Sequence, residues 1–292
     1  MLWKVFGRMV GSLRYSPARP STGGEMADKT YHVLDRPEVL GVLFYPRREI
    51  GVPHLPPGVD AVRIPVADGI SLGGKLFIAG PKAPLVLFFH GNGEIASDYD
   101  TIASFYTELG LSLLVVDYRG YGTSDGTPTA TALVRDALTT FERIGDVLAE
   151  HSVQPERLYV MGRSLGSAAA LEVASRAGNG LSGLILESGF AYTFPLIERI
   201  GFLQLPDAYE QKDGFGNLEK IDRVRLPTLI IHGERDWIIP IGDARALFEA
   251  SPSADKKLVK VPGAGHNDLM MIGRRAYFGA IAEMCGTTPK PD

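Results

Sequence analysis

The amino-acid sequence predicts an α/β fold in which a mostly parallel central sheet carries helices on both faces. From about residue 59 onward, short β-branched apolar runs alternate with amphipathic helical stretches, the pattern of crossover units built around a parallel sheet. The runs lack a polar face, as strands covered on both sides should. No segment recurs at the period of a solenoid or propeller.

Taken in order, Val62 to Val66 and Gly74 to Ile78 flank the turn signal Asp68-Gly69 and predict an antiparallel hairpin at one sheet edge. Core strands are expected at Leu85 to Phe89, Ser112 to Asp117, Leu158 to Met161, Leu181 to Leu186, Thr228 to Ile231 and Lys257 to Val261. Ile102, Phe105, Tyr106 and Leu109 follow helical spacing, with Ser97 or Asp98 placed to cap and Gly110 to terminate. Val134, Leu138, Phe141 and Leu148 mark a second helix, and the Ala- and Gly-rich run Ser164 to Arg176 a third that can lie close against the sheet. Residues 188–226 break the rhythm with Pro195, Pro206 and Gly214-Phe215-Gly216, and read as a short cap inserted over the active site. The organisation is thus a basic leader at 1–30, a lead-in arm at 31–58, which includes Tyr45-Pro46-Arg47-Arg48, and one α/β domain at 59–292.

Composition narrows the function. The 292 residues are 45% hydrophobic and 22% charged, as in ordinary globular domains, and the net charge of -4 lacks the basic surplus that phosphate-backbone binding needs. Nucleic acid is not an expected partner. The single cysteine, Cys285, rules out an internal disulfide and a cysteine-based zinc site, and no apolar run approaches the roughly 20 residues that span a bilayer. Lys4, Arg8, Arg14 and Arg19 punctuate the leader, with no acid before Glu25. Charges inside its apolar stretch disfavour a secretory signal. It reads as a disordered leader, with Met26 as an alternative start. A transit peptide or a helix resting on a membrane surface is also compatible with it. A cytoplasmic location is expected.

The chemistry-bearing motif is G-x-S-x-G, a serine on a sharp strand-to-helix turn whose glycines relieve the crowding. It occurs twice, as Gly162-Arg163-Ser164-Leu165-Gly166 and as Gly122-Thr123-Ser124-Asp125-Gly126. Ser164 follows a strand and opens a helix, whereas Ser124 sits in a Gly-rich loop seven residues past its strand. The first is the expected nucleophile and the second an ordinary turn serine. A serine hydroxyl needs an adjacent base, and the base needs a group to fix its tautomer. His266 follows the last strand and Asp236 the one before it, giving the order serine, acid, histidine. Glu187, Asp243 and Asp268 compete for the acid role. His90 and His232 each end a strand before a glycine and are read as structural, while His32, His54 and His151 have no motif to recruit them. Backbone amides of Leu165 and of Asn92, in His90-Gly91-Asn92-Gly93, are the expected oxyanion donors. Phe190, Tyr192, Phe194, Phe202 and Leu203 in the cap are candidates for an apolar substrate pocket, or simply pack the cap onto the domain.

Together these residues resemble the α/β-hydrolase superfamily over about residues 59–285. The stretches His90-Gly91-Asn92-Gly93, Asp117-Tyr118-Arg119-Gly120-Tyr121-Gly122-Thr123-Ser124-Asp125-Gly126 and His232-Gly233-Glu234-Arg235-Asp236-Trp237-Ile238-Ile239-Pro240 resemble its BEM46, ABHD13 and ABHD17 branch. The resemblance implies an α/β-hydrolase fold and hydrolysis of an ester, thioester or amide of a small-molecule or acylated substrate, through an acyl-enzyme and without metal or organic cofactor.

Two other classes compete. Gly91-Asn92-Gly93-Glu94-Ile95-Ala96 satisfies G-x-G-x-x-A after a strand, with Asp117 ending the next strand, which alone reads as a dinucleotide-binding oxidoreductase. A catalytically silent binding module on the same fold is the other, since fold does not establish function.

Overall fold

A computed structural model describes residues 29–51 and 55–287. Most of the leader, and His54, lie outside the described residues. The chain enters through α1 (Pro37–Leu43), started by a proline in its first turn, and then forms the hairpin β1 (Val59–Ala67) and β2 (Ile70–Phe77). There follow β3 (Leu85–Phe89), a 3₁₀ turn (Ala96–Tyr99), α2 (Ala103–Glu108), β4 (Ser112–Val116) and the long α3 (Ala130–Glu150). Next come β5 (Leu158–Arg163), α4 (Gly166–Arg176) and β6 (Gly183–Glu187), then α5 (Thr193–Gly201), α6 (Glu210–Asp213) and α7 (Asn217–Ile221) in the predicted cap. The chain closes with β7 (Thr228–Gly233), α8 (Ile241–Ala250), β8 (Lys256–Val261), α9 (Leu269–Ile272) and α10 (Arg274–Cys285).

The strands form one sheet in the order β1-β2-β4-β3-β5-β6-β7-β8, antiparallel at β1, β2 and β4 and parallel from β4 to β8. Side chains alternate between its faces. Leu85, Leu87 and Phe89 of β3 join a core with Val134, Ala137 and Phe141 of α3 and Leu171 of α4. Val86 and Phe88 join a second core with Tyr106 of α2 and Tyr277 and Ile281 of α10. Both faces are covered, which is why the central strands read as unbroken apolar runs.

Several boundaries differ from the sequence reading for identifiable reasons. The second hairpin arm begins at Ile70, not Gly74, because Ala67 pairs with Ile70 across a two-residue turn in which Gly69 has φ 69°. Gly73, outside the expected strand, and Gly74, expected to start it, both lie within β2, where a Cβ on Gly73 would strike Thr123 and one on Gly74 the carbonyl of Val115. The helix expected from Ser97 starts only at Ala103, because Asp98 closes the 3₁₀ turn by accepting from the Ile95 amide at 3.1 Å. Gly110, at φ 74°, ends it as expected. β8 is not a covered central strand but the outer one, and Lys256, Lys257 and Lys260 blunt its free edge.

The lead-in arm belongs to the scaffold: Tyr31, Leu34, Val39, Leu43 and Phe44 are buried in the first core. Asp35 accepts from the Thr131 amide at 3.1 Å, and Thr131 Oγ1 in turn accepts from the Tyr31 amide at 2.9 Å. The cap segment divides. α5 packs on α1, with its first amides, Thr193 and Phe194, donating to the Glu210 carboxylate at 2.8 and 2.9 Å, whereas α7 packs on α4 and α8.

Two glycines set the junction of β5 and α4. A Cβ on Gly162 would collide with Gly166 and Ala170, and one on Gly166 with the carbonyls of Phe89 and His90. Replacing Gly166 by Ala is expected to destabilise the protein by at least about 3 kcal/mol, the scale of a rigid steric clash in a packed core. Gly145, mid-way along α3 with open space at its Cβ position, is the control: Gly145→Ala should stabilise by about 0.5–1 kcal/mol. Urea denaturation of the two variants measures both.

Candidate active site

Parallel strands bring their C-terminal ends to one edge, and three loops there supply the site. Ser164 is the first residue after β5 and has φ 51°, a left-handed conformation that costs a non-glycine residue energy and lifts its side chain out of the sheet. Its amide is held by the Glu187 carbonyl at 2.9 Å. Asp236 lies three residues beyond β7 and His266 five beyond β8. The loops meet because Gly233 lacks a Cβ that would strike the carbonyls of Ala264 and Gly265, and because the Arg235 amide donates to the Ala264 carbonyl at 2.8 Å.

The three predicted side chains converge. His266 Nε2 stands 2.9 Å from Ser164 Oγ, and His266 Nδ1 2.7 Å from Asp236 Oδ2. With the carboxylate accepting from Nδ1–H, Nε2 carries the lone pair and accepts from the serine hydroxyl. Asp236 Oδ1 accepts from the amides of Ile238 and Ile239 at 2.9 and 2.8 Å, so both oxygens have fixed work. Burial opposes ionisation of Asp236, yet the hydrogen bond and charge of His266, the Ile239 amide and nearby His232 outweigh it and hold the carboxyl below the ordinary carboxylate range.

The competitors are occupied elsewhere. Asp243 accepts from the amides of Ala191 and Tyr192 and Asp268 from that of Gly265, while Glu187 pairs with Arg163 and accepts from Tyr277. Ser124 Oγ donates to the Asp117 carbonyl and accepts from the Gly73 amide, both at 2.8 Å, as a turn serine should. His90 and His232 are fully buried. His90 Nδ1 meets the Gly91 carbonyl at 2.8 Å, and His232 Nε2 donates to the Ile239 carbonyl at 2.7 Å, bracing the Asp236 loop. The dinucleotide reading fails on geometry. Residues 91–93 precede a 3₁₀ turn rather than a helix, and Asp117 is buried with its Oδ1 accepting from the Ala96 amide at 2.7 Å, out of reach of a ribose.

Leu165, the N-cap of α4, directly follows Ser164, and the pairing of Phe89 with Gly162 sets the loop of Asn92 beside the elbow. Asn92 turns its side chain away, Oδ1 accepting from the Tyr45 amide and the Tyr121 hydroxyl at 2.8 and 2.7 Å. The expected substrate-pocket set is not brought together. Phe190 is a core residue packed edge-on to Phe215, with ring centres 5.9 Å apart, because the tight turn after β6 directs it inward. Phe202, at the left-handed end of α5, is 91% exposed. Tyr192 is 40% exposed, and Phe194 and Leu203 lie partly buried against the first core.

Sequence reasoning missed Arg163. Its guanidinium is buried behind the elbow, bonded to Glu94, to Glu187 at 3.2 Å, to the His266 carbonyl at 3.0 Å and to Asn267 Oδ1 at 2.9 Å. The available signal was a charged residue ending a central strand whose neighbour β6 also ends in a charge.

Fold and site define an α/β-hydrolase. Residues 80–200 and 217–270 match the family described as serine aminopeptidase, S33. The chain is 34% identical over 229 residues to the uncharacterized protein Rv2307c of Mycobacterium tuberculosis, covering 78% of this chain and 79% of that one. It is 31% identical over 267 residues to alpha/beta hydrolase domain-containing protein 17C of Xenopus tropicalis (88% and 77% covered) and 28% over 236 residues to protein bem46 of Schizosaccharomyces pombe (77% and 75%). The fold matches the Pyrococcus furiosus esterase Pf2001 with a TM-score of 0.66 at 18% identity, covering 82% of this chain and 98% of that one. The chain belongs to the serine aminopeptidase S33 family and, among the α/β-hydrolases, to the BEM46/ABHD17 branch. Among the described residues no helix is long and apolar enough to cross a membrane.

Because the Asp236 carboxyl is held below its unfolded value, it contributes stability above about pH 4, and that contribution fades as the pH falls through the folded value. The stability difference between the wild type and Asp236→Asn should therefore narrow steadily below about pH 4, as followed by urea denaturation at a series of pH values.

Proposed function

We propose that this hydrolase cleaves a carboxylic ester, thioester or amide through a covalent acyl-enzyme on Ser164. The observation that carries the reading is the unbroken relay of Ser164 Oγ, His266 and Asp236, with separations of 2.9 and 2.7 Å. Serine oxygen attacks the substrate carbonyl while His266 Nε2 takes its proton, and Asp236 steadies the resulting imidazolium. The carbonyl oxygen becomes an oxyanion, met by the amides of Leu165 and Asn92. Collapse of the tetrahedral species expels the alcohol, thiol or amine, which takes the proton back from His266. Water, deprotonated by the same imidazole, then releases the acid. Every proton is carried by these side chains, so no step calls for a cofactor.

The fold match to an esterase supports carboxylic esters as the first substrates to test, and the family name leaves amides in view. Tyr192, Phe194 and Leu203 are proposed to contact the acyl group. Phe190 and Phe202 are left out of that set, the one buried in the core and the other turned to solvent.

Ser164→Ala should abolish labelling by a fluorophosphonate probe and lower kcat with p-nitrophenyl butyrate by about 10⁴-fold or more, His266→Ala should do the same, and Asp236→Asn should cost about 10²–10⁴-fold. Full labelling of Ser164→Ala would refute the reading. A series of p-nitrophenyl esters from two carbons upward tests the pocket; a flat profile would count against an acyl-shaped site.

A further inference from the structure

We infer that Arg163 is a positioning residue for this reaction, its buried guanidinium fixing the base loop and the oxyanion loop relative to the nucleophile. The inference rests on the proposed role of Ser164 and His266 and adds a requirement that role does not contain.

The geometry is specific. Arg163 is the last residue of β5, so its backbone is continuous with the elbow and is paired in register with Glu187 of β6. Nε donates to Glu187 Oε1 at 3.2 Å, and one terminal nitrogen to Glu94 Oε1. The other spans the Asn267 side chain at 2.9 Å and the carbonyl of His266 itself at 3.0 Å. Four of the five N–H groups of the fork are thereby directed at two loops and the end of β6. The bond to the His266 carbonyl acts on the backbone of the residue whose imidazole must reach Ser164.

The Glu94 branch acts on the oxyanion loop. Glu94 Oε2 accepts from the Gly91 amide at 2.9 Å, which takes that amide out of competition as an oxyanion donor and leaves the next one, Asn92, free for it. Gly91 is glycine because a Cβ there would press on the Arg163 guanidinium and the Glu94 carboxylate. Both carboxylates are anchored from behind: Tyr99 donates to Glu94 at 2.6 Å, and Tyr277 to Glu187 at 2.7 Å. Tyr277 in turn meets Tyr106 at 3.0 Å, so the cluster is rooted in the second core.

A buried cation with two carboxylates is weak evidence for stability, because desolvation consumes most of the Coulombic gain. What the planar fork supplies beyond charge is direction, and lysine, a point charge with three donors on a flexible stem, cannot span these four acceptors. A displacement of about 1 Å at a reacting group can cost about 10²-fold in rate.

The test is the steady-state kinetics of Arg163→Lys and Asn267→Ala with p-nitrophenyl butyrate. Rates are divided by the number of sites that a fluorophosphonate labels at completion, so that unfolded protein is not counted. Arg163→Lys should lower kcat per labelled site about 30- to 100-fold while KM stays within about threefold, since the substrate's own contacts are untouched. Asn267→Ala, a change at an exposed side chain that does not endanger folding, should lower it about three- to tenfold. The double variant should be no worse than Arg163→Lys alone, because both remove the same anchor. Arg163→Lys within twofold of wild type per labelled site, or losses that multiply in the double variant, would overturn the inference. If Arg163→Lys yields no folded protein, Asn267→Ala decides: unchanged kcat per site overturns it. Ser164→Ala run alongside separates the two claims. Activity surviving there defeats the hydrolase reading itself, whereas a silent Ser164→Ala beside a fully active Arg163→Lys defeats only the positioning role.

Discussion

The left-handed backbone at Ser164 is the constraint around which the rest of the molecule is arranged. A non-glycine residue at φ 51° is strained by about 1–3 kcal/mol and relaxes unless its surroundings forbid it. Here they do. β5 is held in the sheet on both sides, by β3 up to Gly162 and by β6 up to Arg163, the residue before the serine. The chain must then turn at once into α4, whose first residue lies against the carbonyls of Phe89 and His90. Only a helix with almost no side chains on that face can lie so close, which is why Gly166 and Ala170, one turn apart, stand against Gly162. The strain keeps the hydroxyl turned toward His266 at the edge of the sheet instead of folded back into it.

That edge is held together by polar residues placed where apolar strands run out. β3 is followed by His90, β4 by Asp117 and β7 ends in His232-Gly233, while β5 and β6 end in Arg163 and Glu187 themselves; all five polar side chains are buried. In the middle of a doubly covered strand such groups would lack partners. One residue later the backbone leaves the ladder, and loop amides and carbonyls become available to meet them. The parallel sheet thus delivers several polar side chains to one layer, and bonds between them convert separate loops into a single framework. The scaffold extends beyond the sheet: the Tyr45 amide holds Asn92, so the arm before β1 helps to shape the loop after β3.

Much of this was legible in the chain because the signals were local. Alternation of apolar runs, the strand-serine-helix context of Ser164 and the order of Asp236 and His266 each follow from neighbours in sequence, and the structure brings those three side chains together. What escaped depended on long-range partners. Gly73 was left outside its strand because the residue it makes room for, Thr123, lies 50 positions away. Asp98 looked like a helix cap and caps a shorter turn instead. Phe190 looked like pocket lining because aromatic residues in a cap have two fates that composition cannot separate. Arg163 was passed over as the variable position of a motif, since its partners Glu94, Glu187 and Asn267 are spread across nearly the whole domain.

The two acids at this edge show how position assigns role. Glu187 ends one parallel strand and Asp236 follows another, and both are candidates for steadying a histidine. Burial pushes the Glu187 carboxyl above its ordinary range, Arg163 and Tyr277 pull it back only in part, and its oxygens face the cluster behind the elbow. Asp236 stands in a loop with amides on one oxygen and the imidazole on the other, and its carboxyl is held down. An acid that must stabilise a transient imidazolium has to be ionised before the proton arrives, and its free lone pairs must point at Nδ1. Only the second environment meets both conditions. The first uses its carboxylate to seat the guanidinium that ties the histidine loop in place, so one acid serves the imidazole directly and the other serves it through the backbone.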